Sequence, residues 1–271
     1  MKSPELNKIK NFAKNMRMHI ATAAFHGGIN SAHFGGALSC VEILSVLYSE
    51  KMNLNSKNIT DESRDRFILS KGHACLALYA ALTESNFIDK KELETFEKND
   101  SRLLGHPVMN REIGIEFTNG SLGMGLSLGT GVAIGLSKKK LDTKVYVLLG
   151  DGECNEGSNW EAVMLAHSLK LTNLTVIVDN NNYQQTGQNH EVLDIGKISS
   201  IWRGFGWDTF EVDGHNIEEL SDVFETQTNG PKAIIAKTVK GKGLSFSEGN
   251  NDWHHKVLSK EKLEESIREL G

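Results

Sequence analysis

Two short pieces of the chain carry oxygen donors suited to a hard cation. LLGDGECNEG holds Asp151 between Gly150 and Gly152, and Asn181 follows thirty residues later in TVIVDNNNY. One carboxylate, one carboxamide oxygen and a nearby backbone carbonyl make a site of low charge. Mg²⁺ uses such partial sets and completes its octahedron with phosphate oxygens and water. The flanking glycines let the backbone approach a ligand closely, and the helix expected after them offers unpaired N–H groups to an anion. Alone, either piece reads as an ordinary turn. Together, at this spacing, they point to a cation that holds a diphosphate.

Imidazoles form a second group. His33, His73, His106 and His254 lie in glycine-rich or irregular loops beside expected strand or helix ends. Imidazole changes charge near neutral pH and can carry protons there. His19, His26, His167 and His190 read as structural or surface residues, and His215, in VDGHN, as a turn stabiliser. Glu156, five residues past Asp151, suits a first helical turn, where the dipole favours a carboxylate.

These side chains need a scaffold to bring them together. KVYVLLG and NLTVIVD are apolar runs of the buried-strand type, with the helical NWEAVMLAHSLK between them. Such a βαβ unit returns the chain to the same edge of a parallel sheet by a right-handed crossover. Asp151 and Asn181 therefore meet at carboxyl ends of strands, where open α/β sheets bind ligands. RDRFILS, WDTFEVDG and KAIIAKTV supply further strands. Leu6, Ile9, Phe12, Ala13, Met16 and Ile20 recur at helical spacing, so an amphipathic helix is expected up to Gly27–Gly28. Ser39 and Glu42 form a capping-box pattern before VEILSVLYSEKM, and Asp89 with Glu92 reads as another helix start. ACLALYAALTES reads as a helix buried on most sides, and IEELSDVFETQ and SKEKLEESIREL as helices near the end of the chain. GSLGMGLSLGTGVAIGL reads as a glycine-rich turn feeding a closely packed helix, without the GxGxxG of a dinucleotide site. SRLLGHPVMNREIGIEFTNG is irregular and long for a loop, a length usually tied to function or disorder. The expected fold class is α/β, three layers with a parallel sheet between helices on both faces, as a single domain over residues 1–271.

Composition narrows the function. The chain has 271 residues, 39% of them hydrophobic, enough for one large α/β core. A net charge of -5 with scattered Lys and Arg argues against a nucleic-acid partner. No apolar run approaches the roughly 18 residues of a membrane span, and the N-terminus lacks the h-region of a secretory signal. Cys40, Cys75 and Cys154 have no CxxC spacing and suit reduced thiols in a cytoplasm.

In order along nearly the whole chain, these motifs resemble the N-terminal half of the transketolases. GDG followed by an asparagine-rich strand end is similar to the thiamine diphosphate motif. NSAHFGGALS resembles the family's SGHPGG segment and SRDRFILSKGHA its RDRFVLSKGHA. LGHPVMN is similar to the GHP loop and TNGSLGMGL to STGSLGQGL, while GWDTFEVDGHN and KTVKGKGLSF with WHHK resemble the closing segments. The resemblance implies thiamine diphosphate and Mg²⁺, or another divalent cation such as Ca²⁺ or Mn²⁺, held by Asp151, Asn181 and the Tyr183 carbonyl. It places His73, Gly120, Ser121, Leu122, Gly150, Gly152, Glu153 and His254 at the cofactor. His33 and His254 would act on the donor hydroxyl, His106 would lie near its terminal hydroxyl, and Glu156 would join a carboxylate link between cofactor sites at a subunit interface.

The implied reaction moves a two-carbon ketol unit from a ketose or ketose phosphate to an aldehyde. The pyrimidine-binding and C-terminal domains of the family have no counterpart in this sequence, which implies a second polypeptide, two copies of each chain forming a heterotetramer. Some positions depart from the pattern: Ala32 and Phe34 for Gly and Pro, Asn119 and Met124 near the thiazolium, Asn182, Gln185 and Thr186 after the strand, and His255 for Gly. These departures keep two alternatives open, a carboligase using pyruvate or an unusual aldehyde and a non-catalytic binding partner that kept the fold.

Overall fold

The computed structural model describes residues 3–271, so the first two residues of the N-terminal stretch lie outside it. Five strands, β1 (Arg66–Leu69), β2 (Val145–Gly150), β3 (Leu174–Asn180), β4 (Asp208–Asp213) and β5 (Lys232–Lys237), form one sheet in the order β1-β2-β3-β5-β4. Every pairing is parallel. The helices are α1 (Ser3–Gly27), α2 (Gly35–Leu38), α3 (Val41–Val46), α4 (Cys75–Glu84) and α5 (Met124–Lys138). Then come α6 (Gly157–Ser168), α7 (Asn189–Val192), α8 (Ile198–Gly204), α9 (Ile217–Glu225) and α10 (Lys260–Leu270).

Successive strand residues point to opposite faces, and this alternation sorts the core into two layers. Tyr146, Leu148, Ile177 and Ile234 pack with α1, α3, α4 and α9. Val147, Leu149, Val176, Val178 and Ile235 pack with α5, α6 and α8 on the other face. Strands covered on both sides must be apolar at every position, which is why β2 and β3 read as continuous apolar runs. The expected three-layer parallel fold is the one observed. α5 lies unusually close to the sheet, since a Cβ on Gly129 would sit 2.4 Å from Val147 Cγ2.

Two local expectations change. The Ser39–Glu42 capping box does not form, because tertiary partners take both side chains. Ser39 Oγ donates to the Gly36 carbonyl and to Asp179, while Glu42 pairs with Arg17 and His215. The segment is helical from Gly35 and closes in a π-helical turn, Leu47–Lys51. The helix expected after Asp89 is a short 3₁₀ segment, Lys90–Thr95, in which the Asp89 carboxylate accepts from the Lys91 N–H. All three cysteines are buried and unpaired. No helix among the described residues is long and apolar enough to cross a membrane.

Candidate functional site

Strand register builds the site. Gly150 pairs opposite Asp179 at the carboxyl ends of β2 and β3, so the residues after each strand converge. Asp151 and Asn181 are both buried and line one cleft of about 450 Å³. The Asp151 carboxylate accepts from the N–H groups of Gly152, at 2.8 Å, and Asn182. No cationic side chain among the described residues is bonded to it. Burial, followed by the charge of Asp179, pushes its carboxyl up to about 6. Asn181 Oδ1 accepts from the Tyr183 N–H at 3.0 Å, and its Nδ2 donates to Asp179 at 3.1 Å.

A buried carboxylate without a cationic partner, next to a carboxamide oxygen, has the chemistry of a divalent-cation site. Among the described residues no three His, Cys, Asp or Glu side chains are grouped as a metal cage. A cation here would therefore use donors of mixed type and bring its own phosphate or water oxygens. The cleft also leaves room for a ligand beside its imidazoles. A Cβ on Gly36 would reach to 3.5 Å from the His73 ring, and one on Gly120 to 3.6 Å from His106.

Four imidazoles face the same cleft from four separate loops. His33 is central, its ring centroid 5.4 Å from His73, 5.6 Å from His106 and 5.4 Å from His254. Burial, then the neighbouring His255, His106 and Lys240, lowers the His33 pKa to about 3. Burial, then Lys240, lowers His254 to about 3, and burial with Lys71 holds His73 well below its usual range. These three rings are neutral near pH 7. Lys240 Nζ lies 2.7 Å from His254 Nδ1. An ammonium can only donate, so the His254 proton sits on Nε2. His255 is exposed and hydrogen-bonded to Ser31, and His254 is the one of the pair that lines the cleft.

Other expected residues fall into place unevenly. Gly120, Leu122, Gly150, Gly152 and Tyr183 line the cleft, whereas Ser121 is exposed outside it. Glu153 reaches the lining but is committed internally, accepting from Ser70 Oγ and from the N–H groups of Gly123 and Gly150. It acts as a strut between three loops. Glu156 is exposed at the mouth, at the N-cap position of α6, where its side chain makes no capping hydrogen bond. Phe34 does not form a wall beside His33; it is fully buried against Phe246 and Trp253. His215 bridges Glu42 and the Val239 N–H, tying the loop after β4 to α3 and the end of β5.

Sequence reasoning missed Lys71, Asp179 and Lys240. Lys71 and Lys240 are buried at the cleft, and Lys240 also contacts the Gln184 carbonyl and Asn251. A lysine two or three residues past an apolar strand, as in FILSK and KTVK, was the available signal. The floor is tight as well: a Cβ on Gly72 would sit 2.6 Å from the Asn119 carbonyl oxygen. Gly72→Ala must therefore displace the backbone at Asn119 and Gly120. The expected cost is about 1–3 kcal/mol, read as a lower denaturation midpoint; an unchanged midpoint would mean that the loop yields freely.

Comparison with known proteins agrees with this geometry. Residues 10–271 match the family model described as transketolase, thiamine diphosphate binding domain. One of the subunits of an apulose-4-phosphate transketolase from Actinobacillus succinogenes is 41% identical over 240 residues, covering 88% of this chain and 87% of that protein. A 6-deoxy-6-sulfo-D-fructose transketolase subunit from a Clostridium species is 37% identical over 247 residues, with 90% of each covered. The crystal structure of transketolase from Campylobacter jejuni superposes with a TM-score of 0.88 at 30% identity, covering 100% of this chain and 43% of that one. The chain thus spans less than half of that transketolase but most of the two relatives named as subunits. It belongs to the transketolase family, as a thiamine diphosphate-binding domain of that fold.

Proposed function

We propose that this chain is the diphosphate- and Mg²⁺-binding subunit of a two-chain transketolase that moves a two-carbon ketol unit from a ketose, or ketose phosphate, to an aldehyde. The observation that carries the reading is one cleft holding both the Asp151–Asn181 oxygen pair and four loop-borne imidazoles. Asp151, Asn181 and the Tyr183 carbonyl hold the cation. His73 and the N–H groups around Gly152 meet the diphosphate. Thiamine diphosphate, when bound, supplies the nucleophile and electron sink that side chains lack. His33 takes the proton of the donor hydroxyl, and His254 donates from Nε2 to a diphosphate or substrate oxygen. His106 positions the donor's terminal hydroxyl.

The relatives' names include a phosphorylated and a sulfonated sugar, which supports a donor with an anionic tail. The partner supplies the pyrimidine-binding and C-terminal domains, two copies of each chain assemble in the cytoplasm, and Glu156 lies at their interface. The residues 1–271 serve as one diphosphate-binding domain in that assembly. The test is native mass spectrometry of the chain taken from its source cells with thiamine diphosphate and Mg²⁺, followed by a donor screen. Paired unlike chains with cofactor mass, consuming ketose phosphates and not pyruvate, are expected. Consumption of pyruvate would point to a different carboligase, and a bare homodimer without cofactor to a binding module.

A further inference from the structure

We propose that Asp179 is a positioning residue that decides which way the Asn181 carboxamide faces, so that its oxygen and not its NH₂ group is presented to the cation. The inference rests on the cation site proposed above.

Asp179 is fully buried at the end of β3 and shares no edge with solvent. Four side chains donate to it: Ser39 from the end of α2, Lys71 from the loop after β1, Thr238 from the end of β5, and Asn181. The two atoms at the end of a carboxamide differ only in donor or acceptor character, so the partner decides the orientation. An ionised carboxylate only accepts. Its contact at 3.1 Å must therefore be with Nδ2 of Asn181, which turns Oδ1 to the other side, where the Tyr183 N–H also donates. Lys71 forms a buried ion pair with Asp179, and Ser39 and Thr238 donate to the same carboxylate, so every polar partner it has is a donor. Lys71 Nζ also donates to the Gly36 carbonyl at 2.9 Å. The group that orients Asn181 is thus held by the loops after β1 and before α3.

Outer partners of metal ligands typically change affinity 10–100-fold when removed. Asp179→Asn keeps the shape but can donate to Asn181 Oδ1, which allows the carboxamide to turn its NH₂ toward the cation. The experiment titrates Mg²⁺ into the complex with the partner chain, at saturating thiamine diphosphate, and separately records the melting of the cation-free complex. Asp179→Asn is expected to weaken Mg²⁺ binding 10–100-fold. Combining it with Asn181→Asp exchanges the two groups, lets the amide at 179 donate to a carboxylate at 181, and should restore affinity to within a few-fold of wild type. If Lys71 left unpaired prevents folding of the single variant, Lys71→Met with Asp179→Asn removes the stranded charge and carries the same expectation.

Unchanged Mg²⁺ affinity in Asp179→Asn overturns the proposal. So does a double variant that binds no better than the single one while both melt lower, because Asp179 would then serve only folding. Wild type that binds no Mg²⁺ with thiamine diphosphate would remove the cation site itself, and the proposal with it.

Discussion

Replacing Asp151 with asparagine is expected to abolish Mg²⁺-dependent thiamine diphosphate binding, a loss of at least about 100-fold in affinity, and with it all turnover. The same substitution should change how the ligand-free protein responds to pH. Burial and the nearby Asp179 raise the Asp151 carboxyl from its ordinary value to about 6. A raised acid binds more protons in the folded than in the unfolded state. Its contribution is therefore fully present below about pH 4 and lost as pH rises through 6, about 3 kcal/mol at most. The variant lacks that loss, so the wild-type-minus-variant stability difference should fall between pH 4 and 7. Saturating Mg²⁺ and thiamine diphosphate should cancel the fall in wild type, since the cation would neutralise the carboxylate. A flat difference curve, or an Asp151→Asn protein that binds with wild-type affinity, would falsify the assignment.

The part of this site that was legible in the sequence is the part set by strand ends. Asp151 and Asn181 could be placed together because a βαβ unit has one handedness and returns to one edge. The four loop histidines could be named through the family resemblance, but only His73 closely follows a strand, so their convergence around His33 was not legible from the strand pattern. Burial of β2 and β3 was equally plain, since strands covered on both faces must be apolar throughout.

What escaped the reading depends on contacts between distant segments. Ser39 looks like a helix cap locally, yet Asp179, far along the chain, claims its hydroxyl. Glu42 likewise pairs with Arg17 and His215 rather than with its own helix start. Lys71 and Lys240 were passed over because lysine is a surface residue by default. Only the fold shows that a buried carboxylate and an imidazole stand ready to receive them. Phe34, where the family has proline, fills the core against Phe246 and Trp253, a contact with residues more than two hundred positions away.

Removing His33 should lower kcat with little change in cofactor binding. Its ring is central to the cluster, and neither nitrogen has a hydrogen-bond partner among the described residues, which leaves both free for substrate. His254 differs because Lys240 occupies its Nδ1. A general base contributes about 10²–10⁴-fold, so His33→Gln should reduce kcat by up to that order while Mg²⁺ and thiamine diphosphate affinities stay near wild type. Stability gives an independent readout. A histidine whose pKa is lowered to about 3 on folding binds fewer protons folded than unfolded below its ordinary value. Its contribution is present above about pH 6.5 and lost as pH falls toward 3, opposite in sign to that of Asp151. His33→Gln should therefore flatten the acid side of the ligand-free stability curve. If kcat survives the substitution while the acid side flattens, the ring is buried as described but is not the proton acceptor, and that role passes to another imidazole of the cluster.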